Sequence, residues 1–169
     1  VKLFSNINRK EVLFISSTNK IVIAYLVSTL EKCGPTNQLK NIIKYLDEKV
    51  FDPVVITLSP EPKNSSKDEF LAMENVKVDS LNLSRFQGLF FGKRKLEKKL
   101  SEYKIDIIHS QNLRPDFLSG YFFNNYERIC TVRNYPFYDY TMGYGKISGY
   151  IMAKLHLNSL YKIDNPIAC

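Results

Sequence analysis

The stretch IVIAYLVSTLEKCGPTNQLKNIIKYL, residues 21–46, decides the fold class. It opens with a nearly continuous apolar run, residues 21–28, which is typical of a strand buried in the middle of a parallel sheet. After a short loop, Gly34 and Pro35 begin a segment whose apolar residues recur on one helical face, namely Leu39, Ile42, Ile43 and Leu46. A buried strand followed by an amphipathic helix is the first part of a βαβ unit.

The same alternation continues to the last residue. We predict strands at residues 54–58, 76–78, 105–110 and 128–132 and a strand beginning at the last residues, with helices at residues 85–104, 114–125 and 146–161. Loops are expected at residues 60–67 and in the Tyr-rich segment 133–145, and candidate buried positions of the second helix are Leu89, Phe90, Leu96 and Leu100. The pattern predicts an α/β protein with a Rossmann-like, mostly parallel sheet and helices on both faces.

Composition narrows the class of protein. With 169 residues, 44% of them hydrophobic and 24% charged, the chain suits one globular core and excludes a collagen, a disordered tail or a disulfide scaffold. Its three cysteines are far apart, which favours a reducing compartment, so we expect a cytoplasmic protein. No apolar run reaches the roughly 18 residues of a membrane-spanning helix.

Most of the net charge of +7 lies in one segment. Residues 85–104 hold seven basic and two acidic side chains, a net of +5. Within this segment the apolar residues Phe86, Leu89, Phe90 and Phe91 lie just before the run of Lys and Arg that begins at Lys93. This pattern suits contact with the inner face of an anionic membrane, with Lys93, Arg94, Lys95, Lys98 and Lys99 as the contact residues. A solvated helix face explains it equally well, and we expect no nucleic-acid partner because no recognition fold accompanies the segment.

Several single residues are candidates for a site, each with a structural alternative. Gly34 begins a helix whose N-terminus favours an anionic group, or it serves only as a turn residue. His109 ends a predicted strand, where ligands of open α/β sheets bind, and it is a candidate hydrogen-bonding group or general base or a packed loop histidine. His156 is expected to be structural, and the Tyr-rich segment suits either sugar or lipid contact or a core.

Three segments together resemble the N-terminal half of bacterial glycosyltransferases of the GT-B architecture, retaining family 4 type. They are IAYLVSTLEKCGPTNQLKNIIKYL, IDIIHSQNLRPDFLSG and CTVRNYPFYDYTMGYGKISGYIMAKLHLNSL. The resemblance spans roughly residues 21–169. It implies that this half binds a saccharide or lipid-linked saccharide acceptor. The complete enzyme would transfer a sugar from a nucleotide-sugar donor during cell-envelope or capsular polysaccharide synthesis.

The resemblance also assigns residues. His109 matches the first histidine of the family's H-x-H pattern and is the expected catalytic residue, while Gln111 replaces the second histidine and suits positioning only. Gly34 matches the glycine of a cleft-facing loop. Further cleft-facing residues are expected at Arg114, Arg133 and Asn134.

These observations predict a domain organisation. Residues 1–19 are expected to be a leader or an extra strand, and residues 20–169 a glycosyltransferase N-terminal domain that ends before the donor-binding domain. We therefore expect this chain alone to be inactive and to hold no cofactor or metal, because the nucleotide sugar would bind the missing domain. The alternative is a non-catalytic Rossmann-like binding module or remnant.

Overall fold

The computed structural model describes residues 20–169, so the predicted leader or extra strand at residues 1–19 lies outside the described residues. Six parallel strands form one open sheet in the order β3-β2-β1-β4-β5-β6. The strands are Ile21–Val27 (β1), Phe51–Thr57 (β2), Lys77–Ser80 (β3), Ile107–Gln111 (β4), Glu127–Val132 (β5) and Asn165–Ala168 (β6). The helices are Gly34–Lys44 (α1), Lys67–Leu71 (α2), Arg85–Glu102 (α3), Leu113–Phe122 (α4), Pro136–Tyr144 (α5) and Lys146–Leu160 (α6).

Helices cover both faces of the sheet, as the sequence predicts. On β1, Ile23 and Tyr25 pack in a core with α1 and α2, whereas Ala24 and Leu26 pack in a second core with α3 and α4. Side chains of a strand alternate between the two faces, so a central strand covered on both sides must be apolar throughout. We call these two sides the α1 face and the α3 face.

The third helix, α3, extends beyond the core at its N-terminal end, which carries exposed apolar residues. Leu96 and Leu100 are fully buried, as predicted, but Leu89 and Phe90 are 75% and 80% exposed, so the prediction that they are core residues is wrong. The helix begins at a capping box in which Ser84 and Gln87 bond each other's backbone N–H groups. This cap starts the helix before it reaches the core, which leaves its first turns exposed.

Two segments predicted as loops are more ordered than expected. Residues 136–144 of the Tyr-rich segment form α5, which begins at Pro136 and packs along α6, so the loop prediction is wrong there. Glycine makes this packing possible, because a Cβ at Gly149 would lie 2.2 Å from the carbonyl oxygen of Tyr140. Residues 60–67 are tied to the loop after β1 by backbone hydrogen bonds from Lys32 to Asn64 and from Ser66 to Leu30.

Candidate active site at the carboxyl edge

The connections of the sheet create a topological switch point at the carboxyl ends of β1 and β4. The chain runs from β1 outward to β2 and β3 and then returns to β4 on the other side of β1. The loops that follow β1 and β4 therefore diverge, and ligands of open α/β sheets bind in the crevice at such a switch point. His109 lies on β4 in register with Tyr25 of β1, which places it at this position.

His109 is buried and held on the α1 face. Its Nε2 is hydrogen-bonded to the Oγ1 atom of Thr131 on β5 at 2.7 Å, and its ring lies 5.2 Å from the ring of Tyr25. Burial, and secondarily the positive charge of Arg133, lowers the pKa of His109 to about 4. The imidazole is therefore neutral near pH 7. A neutral imidazole can still hold a hydroxyl group by a hydrogen bond.

A chain of polar side chains continues from His109 toward α1. Arg133 donates from Nε to the Oε1 atom of Gln38 at 2.6 Å and from Nη2 to the Oε1 atom of Gln111 at 3.1 Å. Gln111 is only 1% exposed. Its Nε2 atom and the Nη1 atom of Arg133 are buried with no hydrogen-bond partner among the residues that the structure describes. Since buried donors are rarely left unpaired, these two atoms are available to bind water or a polar ligand.

The remaining predicted site residues are distributed around this cluster. Gly34 is exposed at the start of α1, where Cys33 provides no side-chain cap, and a Cβ on Gly34 would meet open space. Its φ is not in the left-handed region, so neither the turn nor the packing requires glycine. Asn134 is exposed directly after Arg133. Arg114 lies apart from the others on the α3 face, where Nη1 donates to the Oγ atom of Ser59 at 2.7 Å.

The predicted membrane-contact residues are not equivalent. Lys93, Arg94, Lys95 and Lys98 are exposed on α3. The ammonium of Lys99 instead lies 2.8 Å from a carboxylate oxygen of Asp79 and 3.1 Å from one of Glu102. Hydrogen bonds to Asp79 and Glu102 raise the pKa of Lys99. Lys99 therefore stabilises the contact between α3 and β3. Its positive charge is already paired within the protein and is less available to a surface partner.

Sequence reasoning missed Gln38 and Thr131, which hold the predicted residues in place. Thr131 could have been found from the pairing of the strands, because it lies beside Gln111 in the parallel register of β4 and β5 and shares its face of the sheet. Gln38 lies one helical turn after Gly34, on a helix that begins at the same edge. His156 is structural, as expected: its Nε2 is 2.8 Å from Asp116 and its Nδ1 is 3.0 Å from the hydroxyl oxygen of Tyr140.

Residues 20–169 contain no group of three or more His, Cys, Asp or Glu side chains that could hold a metal ion. Within the same residues, no helix is both long and apolar enough to cross a membrane.

No protein-family model matches the chain. Comparison with individual known proteins does find relatives. Two Escherichia coli proteins, each described as the O-antigen biosynthesis glycosyltransferase WclY, are 31% identical to this chain over 137 and 133 residues. The matches cover 79% and 76% of this chain but 34% and 33% of the relatives, so the chain spans about a third of the length of the curated relatives it matches. In sequence the chain is glycosyltransferase-like.

A solved structure confirms the fold class. A protein from Listeria monocytogenes described as a UDP-N-acetylglucosamine 2-epimerase superposes with a TM-score of 0.57, covering 89% of this chain and 39% of that chain. The two sequences are 10% identical, so this likeness concerns the fold alone. The predicted Rossmann-like parallel sheet with helices on both faces is correct.

Proposed function

We propose that this chain is the acceptor-binding N-terminal domain of a GT-B glycosyltransferase of the retaining type. The complete enzyme would transfer a sugar from a nucleotide-sugar donor to a saccharide acceptor during synthesis of a cell-envelope polysaccharide. The observation that carries the proposal is the polar cluster of His109, Gln111 and Arg133, whose unpartnered donors lie at the switch point of a glycosyltransferase-like chain. Nucleotide-sugar chemistry would need a donor-binding domain in addition.

Within this proposal the residues have distinct roles. The neutral His109 would hydrogen-bond a sugar hydroxyl, and the free Nε2 of Gln111 and Nη1 of Arg133 would donate to acceptor or donor oxygens. The first-turn N–H groups of α1 at Gly34 suit a phosphate, because a helix N-terminus favours negative charge. Such a site accelerates transfer by positioning and by stabilising the leaving diphosphate.

The test uses the full-length protein and a panel of nucleotide sugars with a cell-envelope saccharide acceptor. Arg133→Met should lower kcat/KM by roughly 100-fold or more, because misplaced substrates lose about that much rate. The control is Lys49→Met, which removes an exposed charge away from the carboxyl edge. Absence of any sugar transfer by the wild-type full-length protein would favour the non-catalytic module, and an unaffected Arg133→Met enzyme would contradict the role of the cluster.

The isolated 169-residue chain provides a second, separate check. It should show no nucleotide-sugar turnover, because the proposal places the donor site in another domain. Clear transfer by the isolated chain would contradict the two-domain proposal.

We also propose peripheral attachment to the inner face of an anionic membrane through α3, with a lipid-linked acceptor as the corresponding substrate. Four exposed basic side chains, Lys93, Arg94, Lys95 and Lys98, follow the exposed side chains of Phe86, Leu89, Phe90 and Phe91. Basic residues near an anionic bilayer contribute about 1 kcal/mol each, and adjacent apolar side chains add buried area.

Co-sedimentation with vesicles of phosphatidylglycerol and phosphatidylethanolamine tests this attachment. Replacing the four basic residues by Ala should reduce the bound fraction strongly. A matched variant with Lys44, Lys49, Lys63 and Lys162 changed to Ala removes the same charge elsewhere and should bind like the wild type. Equal loss in both variants would mean that only total charge matters, which contradicts a specific α3 surface.

A further inference from the structure

A separate pocket opens on the α3 face of the sheet, between α3 and α4. Its volume is about 320 Å³, at the small end of the roughly 300 to 1,000 Å³ typical of ligand pockets. Most of its lining is aliphatic or aromatic, including Leu58, Leu81 and Leu83 after β2 and β3, and Leu113, Phe117 and Phe122 of α4. Its floor is therefore the apolar core of the domain.

Glycine residues on α3 create the space. Gly88 and Gly92 both line the pocket and, four residues apart, lie on the same side of the helix. A Cβ at Gly92 would be 3.7 Å from the Cδ2 atom of Leu118, which is ordinary contact, so a larger side chain there would extend into the pocket. At Gly88 a Cβ would lie 3.0 Å from the Nη2 atom of Arg114, so the missing side chain lets this guanidinium lie against the helix.

Positive charge is concentrated at the mouth of this apolar pocket. Arg85, Lys93 and Arg114 all belong to its lining, and no Asp or Glu among residues 20–169 does. Arg114 is half-buried, and burial and then the nearby charge of Arg85 lower its pKa. Arg85 and Arg114 line the same pocket, and neither has an ion-pair partner in the described part of the chain. Together they form a site complementary to an anion.

We propose that this pocket holds the hydrocarbon chain of a lipid phosphate, with Arg85 and Arg114 binding the phosphate at its mouth. The apolar lining takes the chain, and planar guanidinium groups match the oxygen geometry of a phosphate. Leu89 at the lip of the pocket is 75% exposed and belongs to the apolar end of α3, so a lipid could pass from a bilayer into the pocket along this helix. The identity of the lipid as an acceptor rests on the proposed function, whereas the binding itself does not.

Isothermal titration of the 169-residue chain with three probes tests the proposal. Dodecyl phosphate below its critical micelle concentration supplies both the head and the chain, inorganic phosphate supplies the head alone, and an uncharged dodecyl polyoxyethylene ether supplies the chain alone. Dodecyl phosphate should bind at least tenfold more tightly than either partial probe. Equal affinity for inorganic phosphate would show a plain anion site and would overturn the proposal, as would the absence of dodecyl phosphate binding.

Variants locate the binding. Gly92→Leu fills the pocket and should weaken dodecyl phosphate binding at least tenfold, while Gly92→Ala, which makes only ordinary contact, should change it less than threefold. Arg85→Gln, at an exposed position, keeps the test decisive if Gly92→Leu does not fold: it should weaken dodecyl phosphate but not the uncharged ether. Unchanged affinity in Arg85→Gln would overturn the assignment of the phosphate to the mouth.

A last variant separates the pocket from the membrane surface. Changing Arg94, Lys95 and Lys98, which do not line the pocket, to Ala should leave dodecyl phosphate binding intact while vesicle binding falls. Parallel loss of both would place the lipid on the helix surface and contradict the pocket. None of these measurements uses a sugar donor, so they can succeed even where sugar transfer fails, or fail where it succeeds.

Discussion

The two histidines of this protein are both buried, yet they lie in opposite kinds of surroundings. Both ring nitrogens of His156 have partners, Asp116 and Tyr140, deep in the layer formed by α4, α5 and α6. His109 has one such partner, Thr131, and stands beside Arg133 and Gln111, which keep buried donors unpaired. Pairing at both nitrogens fixes the His156 ring in the fold, although Asp116 Oδ1 beside it also stays unpaired among residues 20–169. The unpaired donors near His109 differ in their place, because they lie at the carboxyl edge of the sheet, where ligands of open α/β sheets bind.

The largest effect should come from breaking the His156 network. Asp116→Ala leaves the buried Nε2 atom of His156 without its partner, so the free energy of unfolding should fall by about 2 to 3 kcal/mol in urea denaturation. Asp139→Ala, an exposed change on α5, should cost less than about 1 kcal/mol. A loss below 1 kcal/mol for Asp116→Ala would mean that the network is not the structural element described here.

The His109 surroundings should be visible in the pH dependence of stability. The folded-state pKa of His109, about 4, lies below its ordinary value, so the unfolded chain takes up the proton first as the pH falls. The contribution is constant above about pH 6.5, and stability then falls by about 1.4 kcal/mol per pH unit until about pH 4. Urea denaturation of the wild type and of His109→Gln is measured over this pH range. The difference between their midpoints isolates the contribution of His109, because the carboxylates titrate alike in both proteins. Parallel pH profiles would contradict a buried neutral His109.

Removing one hydroxyl partner from each histidine compares the regions directly. Thr131→Val and Tyr140→Phe should each lower the free energy of unfolding by about 1 kcal/mol, the usual net contribution of a hydrogen bond. In the full-length enzyme Thr131→Val should also lower kcat/KM roughly tenfold, because it frees the His109 ring to turn. Tyr140→Phe should leave kcat/KM unchanged. Equal kinetic effects would remove the distinction between the two histidines.

The smallest expected change in stability concerns Gly34. Gly34→Ala should alter the free energy of unfolding by no more than about 0.5 kcal/mol, because its Cβ would meet open space. Any drop in sugar transfer by the full-length variant would then report a ligand that approaches this backbone. Gly143→Ala, also surrounded by open space but on α5, is the matched control and should affect neither property. Full activity in Gly34→Ala would argue against a ligand at the N-terminus of α1.

Much of the fold was predictable because its signals are local. The apolar run of β1 and the one-sided helix α1 were recognisable, since burial on both faces or on one face imposes a distinct period. The helix α5 was not recognisable. Its residues, PFYDYTMGY, are poor helix formers, and the helix forms because it packs on α6 at Gly149 and because Tyr140 reaches His156.

The candidate site divides in the same way. Sequence reasoning placed His109 at the end of a strand, where ligands of open α/β sheets bind, and the family resemblance added Gln111 and Arg133. The prediction that Phe90 is buried is wrong, and the sequence did not distinguish Lys99, which pairs with Asp79, from the exposed basic residues of α3. Helical period alone does not show how far a helix extends beyond the sheet or which residues of a neighbouring strand it meets.

The sequence by itself determined the alternation of strands with the longer helices, the basic character of α3 and the place of His109 toward the carboxyl end of its strand. Only the tertiary structure decided which polar atoms stay unpartnered, that the pKa of His109 falls to about 4, and that a pocket with two arginines opens between α3 and α4. The physical reason is that periodicity reflects burial averaged along one element. Hydrogen bonding, desolvation and cavities depend on the few atoms that distant segments bring within contact of one another.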